Sequence, residues 1–472
     1  MQGVFLIFSE RVTGMKRFGL IGSGLEHVQL RRVHSEIGDY EYIHLETDDE
    51  DKLRLFLSDK RFDGFNITHP FNRSVIKYLD ELSDDAMRTQ SVNTVCKLPD
   101  GRLRGCNTDI EGFRYLVNGS VDGLRCLVLG TGGAARSAAA VLEDMRAAEV
   151  VLVSRDPEAA RAEIGDSYTI AGYDRLYPYY DFEIIVNCTP VGRSPYINTT
   201  VLSEARLSLR LFANLELAID LIYNPYRTKF LQDARRLTVC NTKSGLDMLI
   251  IQAYVSRNLW LGMEADQEEA ELILRKVKRK ILESQLNVVA VGLPGSGKTT
   301  IFRRYAYELG LRFIDTDEET EKLMGRPIQD VVSDSAIGED YFRAMEHKAV
   351  AELSTVRGAV IATGGGTLLN PQNRDMLKAN GIVIYVKRPL DLLSIKGKPP
   401  GINIDLTQLF NDRDRIYKKT SDMVLINSRI FGDRKAKTGE GNSYNYELKG
   451  FVYFIARRVQ KYLNELASDI WT

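Results

Sequence analysis

The chain is short of cysteine, of net charge and of long apolar runs, and each shortage closes off a class of function. Only five cysteines occur in 472 residues, at Cys96, Cys106, Cys126, Cys188 and Cys240. None forms a CxxC pair and the number is odd, which favours reduced, mostly buried thiols in a cytoplasmic protein over a disulfide framework. Sixty-three basic residues stand against 64 acidic ones, a formal charge of -1. Such a balance gives no general pull toward nucleic acid or an anionic membrane, so neither is an expected partner. No apolar run reaches the length of a membrane span. The stretch Val4–Phe8 is apolar but short, without a basic flank or a cleavage site, and makes a poor signal peptide. Met15 directly precedes the first plausible strand, so residues 1–14 are set aside as an N-terminal extension. Internal repeats are absent too.

What is present is an alternation of strand and helix. Short apolar runs at Cys126–Leu129, Val150–Val153, Glu183–Val186, Ala218–Leu221, Val288–Val291, Ala359–Ala362 and Ile382–Val386 suit strands buried on both faces of parallel sheets. Helical patterns separate them, so the class is α/β, and the length predicts roughly three compact units. Between Glu264 and Glu283 the sequence is a charged helix, and a fresh strand begins at Asn287. The main boundary is placed there. Asp433–Asn445, rich in Gly, Lys, Ser and Asn, reads as a mobile surface excursion.

Gly292-Leu293-Pro294-Gly295-Ser296-Gly297-Lys298-Thr299 fits G-x-x-x-x-G-K-[ST] at every fixed position. It follows a strand and opens a helix through Thr300, the context that a phosphate-binding loop needs. Glycines let backbone N–H groups converge on a phosphate, and the helix N-terminus adds a positive dipole. Lys298 would reach the β- and γ-phosphates of ATP, and the Thr299 hydroxyl would join Mg²⁺. Downstream, Asp315 and Asp317 stand at i and i+2 at the end of a short strand. An extended segment would turn both carboxylates to one side; read alone, the pair also fits a helix cap. Arg343 and Glu346 share a helix face. Gly364, Gly365 and Gly366 end another strand and leave room for a ligand ring against the backbone. Arg413 and Tyr417 lie in a later helical pattern.

Together these segments resemble shikimate kinase, over about Leu286 to Glu465. The resemblance implies that Asp315 joins Thr299 in the Mg²⁺ shell and that Asp317 binds shikimate hydroxyls beside the phosphate acceptor, as a catalytic group with Lys298. It implies that Arg343 and Arg413 clamp the shikimate carboxylate, with the three glycines against the ring. Planar guanidinium groups match a carboxylate bidentately. One departure concerns the lid, where the family has arginine in an R-P-L motif. Here Lys396 and Lys398 occupy that stretch, and Lys398 is the expected phosphate contact.

In the first half, Leu127–Leu129 leads into Gly130-Thr131-Gly132-Gly133-Ala134-Ala135, a strand, a glycine-rich turn and a helix start. The next strand ends at Ser154-Arg155. An arginine at that position favours the 2′-phosphate of NADP. Further segments, Asn66-Ile67-Thr68, Ser91–Thr94, Asn107–Phe113, Asn187–Gly192 with Thr189, and Gly245–Gln252, resemble shikimate dehydrogenase over about Lys16 to Gly262. The resemblance implies NADP(H) against Gly130, Gly132, Gly133, Ala134, Ala135, Ser154, Arg155 and Thr189. It implies substrate against Asn66, Thr68, Asn93, Asp109 and Gln252, with Asp109 catalytic. Two departures stand out. The family's catalytic lysine is replaced by Asn72, whose amide cannot carry a titrating proton. The family's H-S-x-S-P segment reads His27-Val28-Gln29-Leu30-Arg31, and Arg31 or Arg32 is left as the candidate carboxylate holder.

The expected architecture is a substrate domain over 15–118 completed by 243–284, an NADP-type Rossmann domain over 119–242, and a P-loop kinase domain with a parallel sheet over 285–472. The expected function is bifunctional: NADP-dependent interconversion of 3-dehydroshikimate and shikimate, then ATP-dependent phosphorylation of shikimate to shikimate 3-phosphate. One alternative is a monofunctional kinase carrying a non-catalytic dehydrogenase-like domain as scaffold or regulator. Another is a P-loop kinase for a different small polyol. Small molecules are the expected partners, with a homodimer as the candidate assembly and the cytoplasm as the expected location.

Overall fold

The computed structural model describes residues 14–25, 29–119, 121–165, 167–238, 240–334, 338–393, 406–428 and 441–468, with backbone only at 441–447. These form two compact units. One contains 1–189, 201–222 and 233–278; the other contains 190–200, 223–232 and 279–472.

The first unit holds two six-stranded sheets. One has the spatial order Glu41–Glu46, Arg17–Gly22, Gly64–Ile67, Thr94–Lys97, Leu103–Cys106, Glu81–Leu82. It is mixed: Thr94–Lys97 runs antiparallel to both of its neighbours. The other sheet is wholly parallel, ordered Asn241–Ser244, Leu217–Asp220, Ile184–Asn187, Arg125–Leu129, Glu149–Ser154, Thr169–Gly172. Its strand order reverses between Arg125–Leu129 and Ile184–Asn187, which opens a crevice at their C-terminal ends. Helix Gly133–Asp144 starts there. It is rich in alanine because it packs tightly on the sheet: Ala135, Ala138, Ala139 and Ala140 are all fully buried. Helix Gln267–Gln285 begins directly after Asp266, whose carboxylate caps Glu268 N at 2.8 Å.

The second unit is built on a five-stranded parallel sheet, ordered Arg312–Asp315, Ala359–Ala362, Asn287–Val291, Gly381–Lys387, Met423–Ile426. Four of these five strands are apolar almost throughout, because helices cover both faces. The order again reverses beside the first strand, between Asn287–Val291 and Gly381–Lys387. The loop 292–297 leaves the sheet at that point and runs into helix Lys298–Leu309. In the same unit, Arg227 is bonded to the carbonyl of Gly381 (2.8 Å), to the Tyr462 hydroxyl (2.8 Å) and to the Asp422 carboxylate (3.2 Å).

The sequence reading of Asp433–Asn445 as an irregular excursion falls partly outside the described residues. From Gly441 onward the backbone already belongs to helix Gly441–Ser468. Among the described residues no helix is long and apolar enough to cross a membrane.

Candidate functional site

In the second unit, the loop 292–297 turns through three glycines of positive φ: Gly292 (148°), Gly295 (76°) and Gly297 (91°). A side chain at Gly292 would strike the Val386 carbonyl at 2.5 Å. The loop therefore hugs the neighbouring strand, and its glycine-rich backbone suits a phosphate chain. Leu293 anchors it by turning into the apolar core, and Ser296 is fully buried. Lys298 lies over the loop and donates to the carbonyls of Gly292 (2.9 Å) and Leu293 (3.0 Å). Burial pulls its ammonium down to about 8, against the attraction of Asp317 and Asp315. Thr300 is exposed on the first helical turn.

Thr299 Oγ1 donates to Asp315 Oδ2 at 3.1 Å. Hydroxyl and carboxylate oxygens stand side by side, hard donors of the kind Mg²⁺ takes when phosphates and water complete its shell. The extended-pair reading of Asp315 and Asp317 needs correction. Asp315 ends the strand and caps helix Thr316–Met324, accepting from Asp317 N at 3.0 Å, so Asp317 sits on the first helical turn. A capping carboxylate must break the extended conformation at the next residue, so the cap and the site share one turn. Burial, with Asp315 close by, pushes the Asp317 carboxyl up to about 6.

The triple glycine gathers these groups. A Cβ on Gly364 would overlap Asp317 Oδ1, one on Gly365 would lie 2.7 Å from Pro294 Cδ, and one on Gly366 would lie 2.5 Å from Arg343 Nη1. Arg413 donates to the Gly365 carbonyl at 2.7 Å and the Tyr417 hydroxyl to the same oxygen at 2.5 Å. Arg343 is held by Glu339 (2.9 Å) and Glu346 (3.0 Å). Glu346 in turn accepts from Thr367 at 2.7 Å, so its orientation is fixed. Asp317, Arg343, Arg413 and Pro294 thus meet on three consecutive residues. Lys396 and Lys398 lie outside the described residues.

In the first unit, a buried polar network joins four of the expected substrate residues. Asn93 donates to Asp109 at 2.8 Å, and its carbonyl accepts from Thr108 N at 2.8 Å. Thr108 donates to Gln252 at 3.2 Å, and Ser256 links Thr94, Thr108 and Asn66. Burial pushes the Asp109 carboxyl up to about 6 against the pull of Asn93. Asn66 is fully engaged by protein: its carbonyl accepts from Tyr42 and faces His34, while its amide donates to Asn93 O, Thr94 and Ser256. Thr68, half-buried, follows it at the strand end. Asn72 donates to the carbonyls of Ile67 and Val92, both at 3.1 Å.

The glycine-rich turn stands against this network. Gly130 has φ 118°, and a Cβ there would meet the Cys188 carbonyl and Thr189 at 3.5 Å. A Cβ on Gly133 would lie 2.5 Å from Ser91 Oγ and 3.9 Å from Asn72 Cβ. Gly132 caps the helix, Ala134 is half-buried behind it, and Ala135 points into the core, so only backbone is offered to a ligand here. Ser154 binds Asp156, Thr189 binds Asn187, and Arg155 is exposed at the end of its strand. Close backbone approach, a helix N-terminus and an exposed guanidinium fit a dinucleotide with a 2′-phosphate. His27 and Val28 lie outside the described residues; Arg31 is exposed.

Sequence reasoning did not single out Ser256, whose hydroxyl joins the network, nor Arg388, which touches the phosphate loop at Gly295 O (3.3 Å). Thr94 and Thr108 lie in quoted segments but were given no role; only the tertiary fold joins their hydroxyls to Ser256.

Two family models match the chain: shikimate kinase over residues 294–430, and the shikimate dehydrogenase substrate binding domain over residues 23–95. The shikimate dehydrogenase (NADP(+)) of Clostridium perfringens is 33% identical over 275 residues, 56% of this chain and 99% of that one. The shikimate dehydrogenase (NADP(+)) of Methanothermobacter thermautotrophicus is 32% identical over 225 residues, 46% of this chain and 77% of its own. Among solved structures, a chorismate mutase/shikimate 5-dehydrogenase fusion protein from Clostridium acetobutylicum is similar with a TM-score of 0.50 and 31% identity, covering 57% of this chain and 98% of that one. Shikimate dehydrogenase 1 from Peptoclostridium difficile gives a TM-score of 0.50 at 29% identity, covering 57% and 100%.

Proposed function

The chain belongs to the shikimate dehydrogenase family and carries a shikimate kinase domain after it, and from that premise we propose that it is a bifunctional shikimate-pathway enzyme whose kinase half phosphorylates shikimate. The observation that carries the kinase reading is the convergence of Asp317, Pro294 and Arg343 on Gly364, Gly365 and Gly366. A flat ring set on those glycines would have its acid end toward Arg343 and Arg413 and a hydroxyl toward Asp317. ATP supplies the phosphoryl group; Thr299 and Asp315 would hold Mg²⁺, which would neutralise its charge. Asp317 takes the proton from the attacking hydroxyl. Lys298 exchanges its loop carbonyls for phosphate oxygens. Positioning and charge neutralisation account for the rate, as phosphoryl transfer requires.

In the dehydrogenase half, NADP(H) supplies or accepts the hydride. Asp109, poised near 6, exchanges the proton at the substrate hydroxyl. Asn93 orients it. Asn66, with every amide atom committed to protein, supports the pocket wall, while Thr68 and Gln252 stay as direct substrate contacts. A second reading, a kinase with a non-catalytic dehydrogenase-like domain, is favoured by one observation: Asn72 binds two backbone carbonyls and offers no proton. The domain limits at 118, 242 and 284, a homodimeric assembly and a cytoplasmic location belong to the same proposal; the five unpaired cysteines support the last.

Paired assays on one purified sample test both halves. ADP release with shikimate and ATP is expected; none would end the kinase reading. NADP⁺ reduction with shikimate separates the bifunctional reading from the second one. Asn72→Lys should raise that hydride transfer by roughly 10²-fold or more, the range of a restored general acid–base. An Asn72→Lys protein that folds and reduces nothing rules out the missing lysine as the sole defect.

A further inference from the structure

We propose that Arg388 is a second fixed cation of the nucleotide site, engaging the phosphate chain together with Lys298. This rests on the reading of Gly292–Thr299 as the ATP loop. Arg388 follows strand Gly381–Lys387, the neighbour of the strand that feeds the loop, and so leaves the sheet at the point where its strand order reverses. Ligands of open α/β sheets bind in the crevice at that point. Pro389 comes next, and the residue before a proline is held out of the helical region, so the chain exits here in a restricted conformation.

The side chain is 7% exposed. One guanidinium nitrogen, Nη1, donates to Gly295 O at 3.3 Å, and Nε is buried with no hydrogen-bond partner. Among the described residues no carboxylate is paired with it. A buried cation without a counter-charge is unfavourable, and the complement it lacks is an anion. Lys298 is arranged alike, resting on the carbonyls of Gly292 and Leu293. Two cations therefore lie on the carbonyls of one loop whose function is to wrap phosphate. Two further buried atoms beside the loop are also unpartnered, Ser296 Oγ and Asn427 Oδ1, and Asn427 is tied to the loop through Ser296 O at 2.8 Å. A planar fork at the strand end gives the bidentate phosphate geometry that lysines in the lid stretch cannot.

The test is binding of tripolyphosphate, ATP, adenosine and shikimate to the full chain and its Arg388→Gln and Arg388→Lys variants. Arg388→Gln should weaken tripolyphosphate and ATP roughly tenfold to hundredfold, the worth of one charged hydrogen-bonding group. Adenosine and shikimate should be unaffected, and the thermal midpoint of the ligand-free protein should hold or rise. Arg388→Lys should recover part of the loss. Unchanged ATP affinity would overturn the proposal. So would a parallel fall in all four affinities together with the thermal midpoint, which marks a mere brace of the loop. A wild-type chain that binds neither ATP nor tripolyphosphate would instead bring down the kinase reading itself. Should Arg388→Gln not fold, the wild-type protein labelled at arginine Nε supplies the second readout. Tripolyphosphate should shift the resonance that disappears in Arg388→Lys, and an unmoved resonance refutes the contact.

Discussion

Replacing Arg227 by methionine should loosen the fourth strand of the five-stranded sheet by about 3 kcal/mol, the low end of the range for one partner lost from a buried ion pair. The structure sets that choice. Arg227 and Asp422 are both nearly buried, with nitrogen and oxygen 3.2 Å apart. The guanidinium also binds Gly381 O and the Tyr462 hydroxyl, and Arg227 N donates to Ala379 O at 3.0 Å. Methionine fills most of the volume but leaves the carboxylate without its cation. Asp422 would keep two donors, Val383 N at 2.8 Å and Tyr462 at 3.1 Å, which keeps the loss at the lower end. Hydrogen exchange of the amides in Gly381–Lys387, read by mass spectrometry, is the assay. A loss of about 3 kcal/mol is roughly a hundredfold faster exchange. Adding Asp422→Asn should recover at least about 1 kcal/mol, because a neutral group tolerates burial better than an orphaned charge. If Arg227→Met exchanges within about fivefold of wild type, or the double variant is worse than the single, the pair does not hold the strand and the reasoning fails.

Three further outcomes follow from the sites. The profile of kcat/KM for ATP should be bell-shaped, falling below about 6 as Asp317 protonates and above about 8 as Lys298 loses its charge, and Asp317→Asn should abolish the acid limb; a flat profile from pH 5.5 to 8.5 would deny both roles. Asp109 is raised on folding, from an ordinary 3.8 to about 6, so its contribution is present below 3.8 and lost as pH climbs through 6. Asp109→Asn should therefore stabilise the chain at pH 7.5 by about 2 kcal/mol, allowing for partial solvent screening, with the gain shrinking toward pH 5; thermal midpoints across that range decide it. Gly366→Ala places a methyl against the Arg343 guanidinium, 2.5 Å from Nη1. That flexible tip can move without unfolding anything, so KM for shikimate should rise about tenfold or more at unchanged stability, and an unchanged KM would separate Arg343 from the acid end of the substrate.

Legibility varied with the kind of signal. The phosphate loop was readable at each position because its glycines, lysine and threonine are dictated by backbone geometry at a strand–helix junction. The buried parallel strands announced themselves by continuous apolar runs, and their limits shifted by at most one residue at either end. Asp315 and Asp317 were recognised as a pair with two backbones left open, extended or helix cap, since a strand end and a cap share the same residue types; the structure shows the cap. Asn66 was read from family position alone, and nothing local shows that Tyr42, Ser256 and Thr94 consume its amide. Arg388 escaped because its meaning depends on which strand lies beside Asn287–Val291. That strand order is a product of the whole chain, as is the grouping of Tyr223–Gln232 with the unit that contains Gly381.

With Arg343 and Asp317 in their proposed roles, three adjacent residues without side chains set the spacing between the acid-holding end and the phosphoryl-accepting end of the kinase cleft. Asp317, Pro294 and Arg343 each abut a different one of them, so the cleft works as a gauge with marks one peptide apart. A substrate whose carboxyl and reactive hydroxyl are one bond too near or too far cannot satisfy both marks at once. Discrimination among cyclic acids would then come from length along the ring, and altering it would require inserting or deleting a residue between Thr363 and Thr367.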